Sequence, residues 1–268
     1  MRHTPLLREF DPPRGASVAA LAYEYPSGAR VPEHAHGSDQ LIYAIKGVME
    51  VASGRGVWTI PPQFALWIPA RSLHGIRMLA QVAMRTLYFR SAVVSRRPPQ
   101  CSVLYVAPLL RELILEAVRL RRLRVSNRAE SALCELLSVH LGKATAMPIG
   151  LTMPSEPRAL AVAHQIARDP ARAKSLARLS ADSGVSLRTV QRIFRRELGI
   201  DIETWRRQVR ITRAIQLLVA GRSVKETAYA VGYQQPSAFV EAFRKLLGAT
   251  PKAWALVLRN APGDLSRR

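Results

Sequence analysis

The chain has only two cysteines in 268 residues, Cys101 and Cys134. That is too few for a disulfide scaffold, so a reduced, cytoplasmic protein is the expectation. Long apolar runs are missing as well. A long stretch without a charged residue, Val57–Ala70, contains Pro61, Pro62 and Pro69 and falls short of a membrane span. Acidic residues and prolines (Glu9, Asp11, Pro12, Pro13) come before any apolar segment, which is unlike a signal peptide. No Ser/His/Asp triad, paired-carboxylate spacing, Walker loop or dinucleotide fingerprint is visible. Acidic side chains are scarce: 19 Asp+Glu face 40 Lys+Arg, a formal charge of +21. A polyanion is the natural partner of such a surface. Only six of those 40 are lysines, so part of the excess reflects an arginine-rich composition. With 48% hydrophobic and 22% charged residues, the chain is globular rather than disordered and long enough for two cores.

What is present divides the chain. Short apolar segments (Val18–Tyr25, Leu41–Ile45, Val48–Ala52, Val57–Ile60, Ala65–Ile68, Val82–Phe89) alternate with Gly, Pro and Ser turns, the texture of a small β-sandwich or barrel. From Pro108 the apolar spacing becomes helical: Leu109, Leu110, Leu113, Ile114, Ala117 and Leu120, then Ala129, Leu133, Leu136, Leu137 and Leu141, with Asn127 as a cap. Thr145–Pro157 reads as a linker, and the remainder as helices punctuated by glycine. The expected domains are 1–98, a helical linker or dimerisation segment at 99–156, and 157–268. The last carries 21 basic and 8 acidic side chains.

That basic part repeats itself. Phe194-Arg195-Arg196-Glu197-Leu198-Gly199 recurs as Phe243-Arg244-Lys245-Leu246-Leu247-Gly248, and each is preceded by a short helical run ending at Gly184 or Gly232. Each unit reads as helix, tight glycine turn, second helix. In the first, Ser186 is placed to cap, Val190, Ile193, Phe194 and Leu198 face inward, and Arg188, Thr189, Gln191, Arg192, Arg195 and Arg196 face out. In the second, Phe239, Phe243 and Leu246 face inward, leaving Gln234, Gln235, Ser237, Val240, Glu241 and Lys245 outside. A cationic helix presented this way suits the major groove, where Arg192 can fork onto guanine, Gln191 onto adenine, and Glu241 can accept from cytosine. Any amphipathic helix has a polar outer face; two such units in one basic domain favour DNA. Between them a long helix is expected over Ile202–Ala220, with Trp205, Val209, Ile215 and Leu218 inward and Arg206, Arg210 and Arg213 opposite.

The stretch Leu176–Trp254 resembles the DNA-binding domain of AraC/XylS-family bacterial transcription regulators. The matching residues are Ser186 through Phe194, Ala228-Tyr229-Ala230-Val231-Gly232-Tyr233, Pro236 through Phe243, and Gly248-Ala249-Thr250-Pro251 with Trp254. The resemblance implies base contacts through positions 188, 191 and 192 and through 234–241. Many relatives carry a basic or small residue where Glu241 stands. It also implies a homodimer, built on the helices between residues 100 and 145, and RNA polymerase as a partner if the protein activates.

The first half resembles the cupin fold. Gly28 is followed by His34-Ala35-His36, then Gln40 and Gly47, and later by Pro69-Ala70-Arg71-Ser72-Leu73-His74. Read as a strand, His34 and His36 face the same side. In metal-binding cupins such a pair joins a carboxylate and a third histidine around an ion. Here Gln40 takes the carboxylate position, and a neutral amide is a poor ligand for a transition metal. No metal or other cofactor is therefore expected, although His34, His36 and His74 are of the right type for a three-histidine zinc site. The expected role of His34, His36, Gln40, Trp67 and His74 is to line an effector pocket, Trp67 being also a natural core residue. His3, His140 and His164 have no partner by spacing, and the run Arg119, Arg121, Arg122, Arg124 reads as a solvated helix end.

The sequence thus implies a multidomain regulator: an all-β cupin-like sensor, then an all-α tandem helix-turn-helix reader. Double-stranded promoter DNA and a small molecule are its partners, with no membrane role. The rival is a metal-dependent cupin enzyme fused to a DNA-binding module.

Overall fold

The computed structural model describes residues 11–91, 93–144, 146–147, 150–171 and 175–260, and the chain parts into two compact units, the first running to Met147 except for Arg55–Val57, which group with the second. His3 lies outside the described residues. Among the described residues no helix is long and apolar enough to cross a membrane, and both cysteines are free thiols.

The strands of the first unit are β1 (Val18–Tyr25), β2 (Arg30–His34), β3 (Asp39–Lys46), β4 (Met49–Ser53), β5 (Gly56–Ile60), β6 (Phe64–Ile68), β7 (His74–Met78), β8 (Val82–Phe89) and β9 (Ser102–Tyr105). Two-residue strands follow, β10 (Arg122–Leu123) and β11 (Ala146–Met147). One antiparallel sheet runs β10-β1-β8-β3-β6-β9-β11, and in the other β5-β4-β7-β2 are successive neighbours. β3 is buried at every position from Asp39 to Ala44 because it is central and both of its faces are covered. One face carries Leu41, Tyr43, Trp67, Leu87 and Phe89 into a core completed by two helices, α1 (Pro108–Leu120) and α2 (Arg128–Lys143). The other carries Gln40, whose cross-strand partners are Ile68 and Tyr88. That face meets the histidines, which come from β2, the loop that follows it, and β7.

Two helical expectations need adjustment. Leu110, Leu113, Ile114 and Ala117 of α1, and Leu133, Cys134, Leu137 and Leu141 of α2, are buried as a continuous stripe. Leu109 and Leu136, assigned to that stripe from spacing, stand in solvent at 53% and 45% exposure. Each is next in sequence to a buried leucine, and a helix turns by about 100° between such neighbours. Asn127 caps α2 as expected, its Oδ1 accepting from the amides of Ala129 and Glu130. Arg119, Arg121, Arg122 and Arg124 are all exposed.

The second unit is helical: α3 (Pro157–Arg168), α4 (Leu176–Asp182), α5 (Leu187–Leu198), α6 (Ile202–Val219), α7 (Val224–Ala230), α8 (Pro236–Leu247) and α9 (Pro251–Asn260). α4–α5 and α7–α8 repeat the same lengths, a seven-residue helix and then a twelve-residue one. Both turns close in the same way: the amide of Val185 reaches the carbonyl of Ser180, and that of Tyr233 reaches Ala228, across glycines at positive φ. Both long helices end on a left-handed glycine, Gly199 and Gly248. Thr250 caps α9, its Oγ1 accepting from the Ala253 amide.

α6 packs on helices of both lobes (α3 and α5, α7 and α9), which corrects the expected outward face for its arginines. Arg206 is buried and Arg210 half-buried, the latter lying 5.5 Å over the Tyr233 ring and donating to the Pro170 carbonyl. Arg213 remains exposed. A helix clasped from two sides has a narrower polar stripe than one packed on a single partner.

Candidate DNA-binding face and histidine cluster

On α5 the outward side is built from its capping outward. Ser186 stops the chain in extended conformation and accepts the Thr189 amide at 3.2 Å, while its hydroxyl also meets Thr189 Oγ1 at 2.9 Å. Thr189 is thus partly engaged in the cap. Arg188, Arg192 and Arg195 follow at spacings of four and three, which places them on one face with Gln191 beside them. The three arginines are exposed, Gln191 is half-buried, and none of the three is in an ion pair with a described residue. Arg196, by contrast, pairs with Glu197 at 3.1 Å. The face therefore holds three uncompensated guanidiniums, each with five donors.

The face of α8 is different in kind. Gln235 occupies the N-cap position without a side-chain cap bond. Gln234, Gln235, Ser237 and Glu241 are exposed and Val240 is half-buried. Leu247 fills the core at the end of this helix, where Leu246 was expected, and Leu246 is only half-buried. Phe239, Phe243 and Trp254 interlock at ring separations of 5.6 and 5.7 Å, which fixes the helix against α9.

The structure brings His34, His36, Gln40 and His74 together. Their arrangement differs from two histidines on one strand: β2 has a register shift between Val31 and His34 and ends at His34, and His36 lies in the following loop. Pro32 sits at this register shift inside β2, and Gly37 lies in the loop beyond His36. Two hydrogen bonds, one to a main-chain carbonyl and one to a side chain, hold this loop and the start of β3 to the segment that precedes His74. The Arg71 amide donates to the His36 carbonyl at 2.8 Å, and the Ala70 amide donates to the buried Asp39 carboxylate at 2.9 Å. The imidazoles are 4.2 Å (His34–His74), 5.2 Å (His36–His74) and 5.9 Å (His34–His36) apart, centre to centre.

Each ring is oriented by a main-chain carbonyl at Nδ1: Pro32 for His34 at 2.8 Å, Ser38 for His36 and Ser72 for His74, both at 2.9 Å. Gln40 spans the cluster, its Oε1 at 2.9 Å from His36 Nε2 and its Nε2 donating to Thr86 Oγ1 and the Tyr88 hydroxyl. Burial pushes the pKa of His74 down to about 4 and lowers that of His34, while it raises that of Tyr88. The cluster is therefore neutral at His34 and His74 near pH 7. A groove of about 490 Å³ lined by Asp11, Pro12, Gly37, Ser38, Arg90 and Ser91 opens beside the His36 loop.

Trp67 is not part of this constellation. It pairs with Leu41, one residue out of phase with Gln40, and lies fully buried on the opposite face of the sheet against Phe89. Thr86 and Tyr88, by contrast, are members that sequence reasoning missed. They lie 46 and 48 residues from Gln40, and only the β3–β8 register brings them beside it.

Comparison with known proteins agrees with both halves. Residues 16–137 match the model of the AraC-like ligand-binding domain, and residues 179–256 match a helix-turn-helix domain model. The HTH-type transcriptional regulator NimR of Escherichia coli is 30% identical over 256 residues, covering 94% of this chain and 92% of that protein. The chain belongs to the AraC/XylS family of transcription regulators. A second relative, the HTH-type regulator RipA of Corynebacterium glutamicum, is 35% identical over 102 residues, covering 38% of this chain and 31% of that protein. Fatty-acid-bound ToxT of Vibrio cholerae matches over 90% of this chain and 96% of its own, at 12% identity and a TM-score of 0.39. This AraC-family chain thus joins a ligand-binding β-domain to a helix-turn-helix DNA-binding domain, in the order expected from its sequence.

Proposed function

We propose that this regulator reads promoter DNA with α5 and α8 in successive major grooves, and that a small molecule held around His34, His36, Gln40 and His74 modulates the reading. The observation that carries the proposal is the paired helix–glycine–helix unit, identical in element lengths and turn closure, with three arginines on its first long helix that make no ion pair with a described residue. α6, with 18 residues, spans about 27 Å, comparable to the ~34 Å separating successive major grooves. Arg192 and Gln191 on α5 then supply bidentate contacts to bases, Arg188 and Arg195 contact bases or phosphates, and the polar residues Gln234–Ser237 and Glu241 serve α8. Leu109, Leu136 and Val139, exposed on α1 and α2, offer an apolar surface for a second copy of the chain. Such a protein works in the cytoplasm, and it engages RNA polymerase if it activates.

Replacing Arg192 with Ala tests the reading directly. Affinity for the promoter site is expected to fall by about 1–3 kcal/mol, with a smaller loss on random DNA, measured by fluorescence anisotropy at fixed salt. Equal losses on both would reduce Arg192 to a phosphate contact and remove it from base reading.

A further inference from the structure

We infer that His34, His36 and His74 form a binding site for one divalent transition-metal ion, held through their three Nε2 atoms. This names a ligand class for the proposed effector site and relies on that reading only for its regulatory consequence. The three imidazoles are the one group of three His, Cys, Asp or Glu among the described residues whose potential ligand atoms all lie within 4.8 Å of one another.

Two observations go beyond proximity. The first is that all three Nδ1 atoms lie at hydrogen-bond distance from a main-chain carbonyl, which can only accept. Each Nδ1 therefore carries its proton, and each neutral ring presents the Nε2 lone pair on its other side. This is the second-shell arrangement that fixes tautomer and direction in metal-ligating histidines. The second is that His74 has no exposed surface and its Nε2 has no hydrogen-bond partner. A buried lone pair without a donor is costly, and a cation facing it removes the cost. His36 shows a related conflict, since its Nε2 lone pair faces the Oε1 of Gln40 at 2.9 Å. Turning the Gln40 amide over would satisfy His36, with the Thr86 and Tyr88 hydroxyls then donating to the oxygen. That rotation leaves His74 orphaned.

The donor set also selects the metal. Three neutral imidazoles suit Zn²⁺, Co²⁺, Ni²⁺ or Cu²⁺, whereas Mg²⁺ and Ca²⁺ require oxygen ligands. The carboxylate of neighbouring Asp39 is already engaged by the Ala70 amide and by Arg97. Three protein ligands would leave a further position on the ion for water or an organic ligand.

The full-length chain, stripped with chelator and then dialysed against Zn²⁺ or Co²⁺, is expected to retain one ion per chain by elemental analysis. Co²⁺ should give the visible absorption of a low-coordinate imidazole site, and Zn²⁺ should raise the melting temperature. Millimolar Mg²⁺ should compete with neither. His34→Gln and His74→Gln should each weaken binding at least about tenfold, and His164→Gln, at an exposed position of α3, should leave it unchanged. His34 is only half-buried, so its variant reports on the site even if the His74 variant fails to fold. Retention well below one ion per chain, or retention unaffected in a folded His34→Gln protein, would overturn the assignment. These measurements contain no DNA and no organic ligand, so their failure leaves the promoter-reading proposal standing, and the reverse also holds.

Discussion

His74 is fully buried, and burial pushes its pKa from 6.5 down to about 4, against the small upward pull of its bond to the Ser72 carbonyl. The folded protein therefore holds this ring neutral at a pH where the unfolded chain already binds a proton. Below about pH 6.5 the unfolded state takes up more protons than the folded one, so stability falls as pH falls, and the loss is complete only below pH 4. The full effect of such a shift is about 3 kcal/mol, at ~1.4 kcal/mol per pH unit inside that window. The pKa of His34 moves the same way for the same reason. Urea unfolding in chelator at pH 7 and pH 4.5 is expected to show a steeper loss for the natural protein than for His74→Gln, the carboxylates being common to both. Parallel losses in the two proteins would mean that His74 is hydrated in solution.

At the scale of elements, the two glycine turns look equivalent but tolerate side chains differently. Gly184 has a φ of 64°, and a Cβ there would meet nothing within 4 Å. Gly232 has a φ of 85°, and a Cβ there would lie 3.0 Å from the Cα of Ala171 and 3.1 Å from its carbonyl oxygen. Gly184→Ala therefore carries the left-handed backbone penalty alone, about 1–2 kcal/mol, whereas Gly232→Ala adds a backbone clash and should cost more. Denaturant midpoints of the two variants check the order, and a larger loss at Gly184 would contradict the packing of the second turn. These turns were legible in the sequence because glycine, a cap such as Ser186 and an apolar stripe are local signals. β1 and β8 were legible for the same reason, as apolar runs bounded by turn residues. β2 was not: it is an edge strand with one buried apolar residue, Val31, and a proline at its centre. The expectation that Trp67 joins the histidines failed at the level of register, because one residue of phase along β6 decides which face of the sheet it occupies. The proximity of His34, His36 and His74 survived the loss of their assumed common strand, since His34 and His74 are cross-strand partners of β2 and β7 and the loop carrying His36 is tied down by the Arg71 amide.

For the whole molecule the controlling fact is that each unit has its own core. In the second unit Val162, Ile166, Val190, Phe194, Trp205 and Val209 belong to one continuous cluster that draws on α3, α5 and α6. Two reading helices on such a body predict a footprint of about twenty base pairs per protomer, since successive major grooves recur every ~10 base pairs. Five base pairs inserted between the two half-elements would turn one of them to the far side of the duplex and abolish tight binding; unchanged affinity would leave a single reading unit. Separate cores also allow a ligand on the β-domain to act only by binding one arrangement of the whole protein better than another. The fragment Glu156–Arg268, which retains the helical core, should therefore fold and bind the promoter site, with weaker affinity where a second protomer contributes, and with no dependence on any ligand of the β-domain. In the full chain, replacing His34 and His36 together with Ala should leave DNA binding in place and remove the ligand response in a reporter assay. A folded fragment that fails to bind its site would show that the reader needs the β-domain for more than affinity. A double variant that still responds would place the effector elsewhere, with the groove beside Arg90 the next region to examine.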